Sequence, residues 1–460
     1  MNTSCKDIFT GTVFVKPAHG LVNDAVVSVP GDKSVSHRAV MLGSIADGVT
    51  EVYNFLEGQD NLSTIAAFRR MGVEIEFVKA DALAGERGAS GYLRINGVGL
   101  MGLVEPDDVI DAGNSGTTAR LLAGLLSAQP FFSVITGDET LRRRPMKRVV
   151  EPLTMMGADI RGRKASSLLP LAINGSRGGS GAKRLKGIRY RTPVASAQLK
   201  SAILLAGLCA QGDTIIEEPE KSRDHTERML RLFGADITVE RGFIRVSSTN
   251  TLSGCKIRVP GDISSAAFFM VLAMLMREAC LTITGVGVNP TRTGIVDILR
   301  KMGGAVEPLN TIDVSGEPVA NIRCKGSSLK AVEITGEELV PAIDEFPIIC
   351  VAAAFAHGTT RISGARELRV KESDRIAVMS ECLTNAGVRN TEKEDGIIIE
   401  GSIGARIRGG TIDSHGDHRI AMAMAVAGMW SVDGMEINNS ACVDVSFPGF
   451  FSLLDMVRAA

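Results

Sequence analysis

A chain of 460 residues exceeds the size at which one core usually stops growing, so two domains are expected. A hydrophobic content of 45% and a charged content of 22% suit a soluble globular protein, and a net charge of −1 excludes a whole-chain field that would draw it to nucleic acid or membrane. Aromatics at 4%, with one Trp, leave the core to Ala, Val, Ile, Leu and Met.

In chain order, MNTSCKDIFTGTVFVKPAHG lacks the basic start and long apolar block of a signal peptide. VPGDKSVSHR, from Val29, opens the first predicted helix and loads its start with Lys33, Ser34, Ser36, His37 and Arg38. Cations are unfavourable on a helix first turn, where free N–H groups and the dipole are already positive, unless an anion offsets them. The helix runs into a turn and a β-branched strand, VMLGSIADGVTEV, and a second helix ends at Gly72 in RRMGVEIEF. DAGNSGTTARLL, Asp111–Leu122, is a Gly/Ser/Thr turn opening another helix; with no Lys after Gly116 it is not a nucleotide P-loop. TGDETLRRRPMKRVVEPL follows, in which most cations are solvated, while Arg144 is biased to extended backbone by Pro145 and can aim away from the next helix. RTPVASAQLKSAILL places Ser196, Ala197 and Gln198 at a helix start, and KSRDHTERM places Ser222 and Arg223 before another.

VPGDISSAAF, from Val259, repeats the first VPGD without its charges, 230 positions on. VLAMLMREACLTITG gives another small-residue helix and strand. AIDEFPIICVAAAF puts Asp344 and Glu345 ahead of an apolar helix, where a carboxylate could serve as a base. ELRVKESDRI clusters Arg369, Lys371, Glu372, Asp374 and Arg375; on one helix Lys371 and Arg375 would share a face. SHGDHRIAMAM adds Asp417, His418 and Arg419; His415 and His418 lack a third strong ligand group, so no metal is expected.

Helices ending at Gly72, Gly157, Gly234, Gly303 and Gly387 recur every 69 to 85 residues, each Gly suiting a left-handed C-cap. Between them run six small-residue helices, which gives six units reading small helix, strand, amphipathic helix, strand; the last lacks a visible ending. Three units per domain follow, with the VPGD pair as the crossing points. If the charged helix starts point inward, the interdomain cleft traps anions. The apolar runs Ala266–Met276 and Phe346–Ala356 are too short to span a bilayer and suit buried helices. Eight Cys without a C-x-x-C pair imply reduced thiols and a cytoplasmic protein.

PGDKSVSHR, GNSGTTARL, RRRPM, SAQLKSA, SRDHTE, VPGDISSAAF, IDEFP, RVKESDR and GDHRIAM, in this order, resemble the 5-enolpyruvylshikimate-3-phosphate synthase family over essentially the whole chain, in its class II-like bacterial branch. The resemblance implies an α/β enolpyruvyl transferase fold: two pseudo-symmetric domains of three βαβαββ repeats, helix N-termini facing the cleft. It implies one domain at 29–258 and the other at 1–28 plus 259–460, with hinges near Pro30 and Pro260. The implied reaction moves the enolpyruvyl group of phosphoenolpyruvate to the 5-hydroxyl of shikimate 3-phosphate by addition and elimination, without cofactor or metal, in a monomer that engages neither nucleic acid nor membrane.

By position, Lys33, Ser34, Arg38, Ser196, Ala197, Gln198, Ser222, Asp344 and Lys371 would bind shikimate 3-phosphate. Lys33, Gly116, Arg144, Gln198, Arg375 and Arg419 would bind phosphoenolpyruvate. Asp344, Glu372 and Lys33 would be catalytic, with the division of proton transfers between the two carboxylates left open. The chain departs from the family's better-known branch at Val445, where that branch has Lys, and at Glu367, where it has Asn. Gly116, not the Ala of glyphosate-tolerant members, implies at least partial glyphosate sensitivity. The related UDP-N-acetylglucosamine enolpyruvyl transferases carry a reactive Cys in the loop that here reads TGDETLRRRPM, without one. A non-catalytic anion- or nucleic-acid-binding role for the basic run at 142–148 fits poorly with neutral net charge and scarce aromatics.

Overall fold

A computed structural model describes residues 11–22, 24–79, 91–175, 185–240, 242–249, 251–276, 278–402 and 404–459; Cys5 and Arg277, in stretches read above, lie outside these. The chain divides into two compact units. One is Gly31–Val259 with Val314–Glu317; the other is Met1–Pro30, Pro260–Asp313 and Pro318–Ala460. The chain changes unit between Pro30 and Gly31 and between Val259 and Pro260, inside both VPGD copies.

Three four-stranded sheets make up the unit Gly31–Val259. One runs, in spatial order, Ile110–Asp111, Phe132–Thr136, Leu168–Asn174, Asp159–Gly162, its first pair parallel and the others antiparallel. The same order and sense recur in Arg189–Arg191, Thr214–Glu217, Phe243–Val246, Ile237–Glu240. In the third sheet, Asp47–Tyr53, Tyr92–Val98 and Glu74–Val78 receive their parallel first strand from Lys256–Arg258, at the end of the unit. In the first two of these sheets the parallel pair is joined by a crossover through the small-residue helix, Gly116–Ser127 or Ala197–Gly207.

The other unit repeats the plan. Ala25–Ser28 pairs in parallel with Cys280–Gly287, followed by Glu317–Lys325 and Ala305–Val314. Glu333–Ile334 does so with Thr359–Ile362, followed by Gly396–Glu400 and Asn390–Lys393. The sixth sheet explains the missing ending in the sequence. Gly410–Asp413 pairs in parallel with Met435–Asn438, and the next strand is Thr12–Val15, from the far end of the chain.

The six small-residue helices are Lys33–Ser44, Gly116–Ser127, Ala197–Gly207, Ile263–Leu275, Phe346–Ala354 and His418–Met429. All six are buried over most of their surface, and five are apolar nearly all round, while Lys33–Ser44 carries its charged and most of its polar residues in its first half. Gly124 shows why small residues are needed: a Cβ there would stand 2.1 Å from the carbonyl oxygen of Ala202 on the neighbouring helix. The amphipathic helices end as expected, with Gly72, Gly157, Gly234, Gly303 and Gly387 all at positive φ. Each unit has its own apolar core. The seven described cysteines are free thiols, and burial pushes those of Cys324, Cys382 and Cys442 up to about 12.

The borrowed strand is testable. Val15 is 6% exposed and Phe14 54%. Val15→Ala is expected to cost about 2 kcal/mol and Phe14→Ala less than about 0.5 kcal/mol in urea unfolding. Equal effects would contradict the register of this strand.

Candidate active site

In the unit Gly31–Val259, Asp32 caps the helix Lys33–Ser44, its carboxylate accepting from Val35 N at 2.9 Å. Lys33 pairs with Asp60, on the first turn of the helix Gln59–Arg70. Arg38 is buried, and its hydrogen-bond partners are neutral. Nε donates to Thr226 Oγ1 at 2.6 Å, Nη2 to Ser201 Oγ at 2.7 Å and Nη1 to the Ser34 carbonyl at 2.9 Å. Burial pulls its pKa down to about 10, with Glu227 and Asp32 nearby opposing the fall. His37 lies within 2.7 Å of Thr64 Oγ1, which lies 2.7 Å from Thr118 Oγ1; Thr118 in turn donates to Ser115 Oγ at 2.7 Å. This chain of polar contacts ties three helices together. Burial, then Lys33 and Arg38, hold His37 well below the usual histidine range, so it is neutral.

Ser115 caps the helix that Gly116 opens. A Cβ on Gly116 would stand 2.6 Å from Arg120 Nη1 and 3.7 Å from Arg144 Nη1, so glycine keeps the corner clear for two guanidiniums. Arg144 has the extended backbone expected before Pro145, with φ −76° and ψ 141°, and donates to Asn114 Oδ1 at 2.7 Å. Gln198 is held from both ends of its amide: Arg120 donates to Oε1 at 2.7 Å, and Nε2 donates to Thr117 Oγ1 at 3.0 Å. Ser196 caps the helix that begins at Ala197. Ser222 is buried in the loop before the helix His225–Leu232.

The other unit holds a second cluster. Asp344 lies in the last turn of the 3-10 helix Val340–Glu345, just ahead of Phe346–Ala354, with Arg375 Nη1 at 3.5 Å and Arg419 Nη2 at 3.7 Å. Arg375 is 1% exposed; it donates from Nη2 to Glu372 at 2.6 Å and from Nε to Asp417 at 2.7 Å. Burial alone would lower its pKa, but Asp417, Glu372 and Asp344 together hold it above the ordinary arginine value. Lys371 does not share a helix face with Arg375. Asp374 caps a helix that starts at Arg375, so Lys371 lies before it on extended backbone, 3.7 Å from Glu367. Burial lowers its pKa, against Asp344 and Glu367. Val445 ends a turn of 3-10 helix.

The site residues read from the sequence thus fall into two groups. Lys33, Ser34, Arg38, Gly116, Arg144, Ser196, Ala197, Gln198 and Ser222 lie in one unit, and Asp344, Lys371, Glu372, Arg375 and Arg419 in the other. Sequence reasoning missed Asp60, Asn114, Arg120, Ser201 and Thr226, and the Arg292 guanidinium that donates to Ser264 at 2.6 Å beside Glu345. Arg120 could have been found, since it stands one helical turn after Gly116. Asp60 carries no local signal.

The family model described as EPSP synthase (3-phosphoshikimate 1-carboxyvinyltransferase) matches residues 21–454. The chain is 54% identical to the 3-phosphoshikimate 1-carboxyvinyltransferase of Geobacter metallireducens, over 97% of this chain and 99% of that one. It is likewise 54% identical to the enzyme of that name from Geobacter sulfurreducens, over 96% and 98%. Among solved structures, EPSP synthase from Acinetobacter baumannii superposes with a TM-score of 0.84 at 46% identity, covering 97% and 98%. The enolpyruvyl transferase NikO from Streptomyces tendae shares the fold at 16% identity, with a TM-score of 0.75 over 98% of each chain.

The neutral His37 sets a pH dependence. Its folded pKa lies below its unfolded value of about 6.5, so the unfolded chain takes up the proton first and stability falls as pH drops below about 6.5. Urea unfolding is expected to show this loss growing as pH falls below about 6.5, with the contribution of His37 missing in His37→Asn. An identical slope in the variant would refute it.

Proposed function

This chain belongs to the EPSP synthase family of 3-phosphoshikimate 1-carboxyvinyltransferases, and from that premise we propose how its two clusters divide the reaction. The enzyme transfers the enolpyruvyl group of phosphoenolpyruvate to the 5-hydroxyl of shikimate 3-phosphate and releases phosphate, a step of the shikimate pathway. Both substrates are multiply anionic. The reading therefore rests most heavily on Arg38, a buried guanidinium whose hydrogen-bond partners are hydroxyls and a carbonyl, with no ion-pair carboxylate among the described residues. A buried charge with no carboxylate in direct contact is costly, and a phosphate dianion supplies that contact through charge-assisted hydrogen bonds.

In this assignment Lys33, Ser34, Arg38, Ser196, Ala197, Gln198 and Ser222 of one unit, with Asp344 and Lys371 of the other, bind shikimate 3-phosphate. Lys33, Gly116, Arg144 and Gln198, with Arg375 and Arg419, bind phosphoenolpyruvate. Asp344, oriented by Arg375 and Arg419, takes the proton of the 5-hydroxyl as its oxygen attacks carbon 2. Glu372, held by Arg375, gives a proton to carbon 3. The tetrahedral adduct then returns a proton from carbon 3 to Glu372 as the bond from carbon 2 to the phosphate oxygen breaks, which restores the double bond, and the proton taken from the 5-hydroxyl passes from Asp344 to the departing phosphate. Lys33 neutralises charge on both substrates. Every chain carries both clusters, which supports a monomer as the working form. Free thiols support the cytoplasm, and no helix among the described residues is long and apolar enough to cross a membrane.

Phosphate release from phosphoenolpyruvate and shikimate 3-phosphate, without added metal, tests the assignment. Asp344→Ala is expected to lower kcat by about 10²–10⁴ with shikimate 3-phosphate binding largely retained. Arg38→Met is expected to raise the KM for shikimate 3-phosphate about 100-fold while the free enzyme unfolds at the same or higher urea concentration, because an uncompensated buried charge has gone. Undiminished turnover in the first variant, or loss of stability with normal KM in the second, would overturn it.

A further inference from the structure

Lys200 is a charged residue in the middle of the apolar helix Ala197–Gly207, with a side chain fully buried at 0% exposure. Its ammonium has three protons and three acceptors: Glu218 Oε2 at 2.9 Å, Glu227 Oε1 at 2.7 Å and the Ser222 carbonyl at 3.4 Å. The other oxygen of Glu218 accepts from the Ser222 N–H at 3.4 Å and from the Ser222 hydroxyl. Ser222 is therefore gripped at its N–H, its carbonyl and its side chain by one buried ion pair. The stretch 218–224 that carries it has no helix or strand to hold it. An apolar side chain would fill the Lys200 position at lower desolvation cost, so stability alone does not account for the lysine.

We propose that Lys200 and Glu218 are positioning residues for the phosphate of shikimate 3-phosphate: they lock the Ser222 loop to the helix whose start carries Ser196 and Gln198. The proposal rests on the assignment of Ser222 to that substrate. It also gives Lys200 a task during binding. In the free enzyme the one Ser222 hydroxyl proton goes to Glu218, so Oγ turns lone pairs outward. When the phosphate arrives the hydroxyl rotates to donate to it. Glu218 then keeps the ammonium and the Ser222 N–H, so no bare carboxylate faces the dianion. Glu227 balances the ammonium from the other side, on the helix that follows the loop.

Steady-state kinetics of the full chain with both substrates test this. Glu218→Gln is expected to raise the KM for shikimate 3-phosphate about tenfold, with kcat and the KM for phosphoenolpyruvate changed less than about threefold. In a Ser222→Ala background the same substitution adds less than about twofold, because its effect runs through Ser222. Should Glu218→Gln fail to fold, the charge-free set Lys200→Met, Glu218→Gln, Glu227→Gln replaces it, with the same rise expected. A normal KM for shikimate 3-phosphate, an equal rise for both substrates, or a full effect persisting without the Ser222 hydroxyl would overturn the proposal. If Ser222→Ala alone leaves that KM unchanged, the assignment of Ser222 fails and the proposal falls with it. If Ser222→Ala raises it and Glu218→Gln does not, only the proposal falls.

Discussion

Cations placed on the first turns of helices are the constraint from which the rest of this molecule follows. Such a turn already presents unpaired N–H groups and the positive end of the helix dipole, so a Lys or Arg there is unfavourable by about 0.3–1 kcal/mol before any burial. The fold relieves this in two ways. Carboxylate caps at Asp32, Asp262, Asp374 and Asp417 neutralise the helix ends themselves. Further carboxylates answer individual cations, as Asp60 does Lys33 and as Glu372 and Asp417 do Arg375. Arg38, one turn further into its helix, is left with hydroxyls and a carbonyl, and the proposed binding of an anionic substrate rests on that imbalance.

The two VPGD stretches show how a repeated scaffold becomes asymmetric. In both, the Asp does the same work, capping a buried helix through a backbone N–H two or three residues on. The first copy then carries its own charges. In the second, Ile263 and Ser264 stand where Lys33 and Ser34 do, and the cation comes from Arg292, which donates to Ser264 and sits beside Glu345. A cation so balanced has less to offer an anion than Arg38 has. Duplicated geometry therefore does not carry duplicated chemistry: the capping is structural in both halves, and the surplus charge belongs to one.

Much of this was legible in the sequence because it was local. Gly at each helix C-cap, Ser115 and Ser196 as caps, and the extended Arg144 before Pro145 all follow from residues a few positions apart. What stayed hidden was long-range. The sixth sheet looked incomplete because its strand Thr12–Val15 pairs with Met435–Asn438, across nearly the whole chain. Helical periodicity through Asp374 would put Lys371 on the face of Arg375, but Asp374 takes the capping position and the helix starts only at Arg375. Asp60, Thr226 and Lys200 matter through partners supplied by other elements, and spacing along the chain says nothing about which elements will meet.

The proposed function assigns electropositive helix starts of each unit to the anionic substrates. A crystal structure with shikimate 3-phosphate and an unreactive phosphoenolpyruvate analogue measures it most directly. The account predicts ligand oxygens within hydrogen-bond reach of Arg38, Ser222 and Arg144, and of Lys371, Arg375 and Arg419. Ligands held by the residues of a single unit, or Arg38 still bonded only to Thr226, Ser201 and Ser34 with the substrate in place, would contradict it.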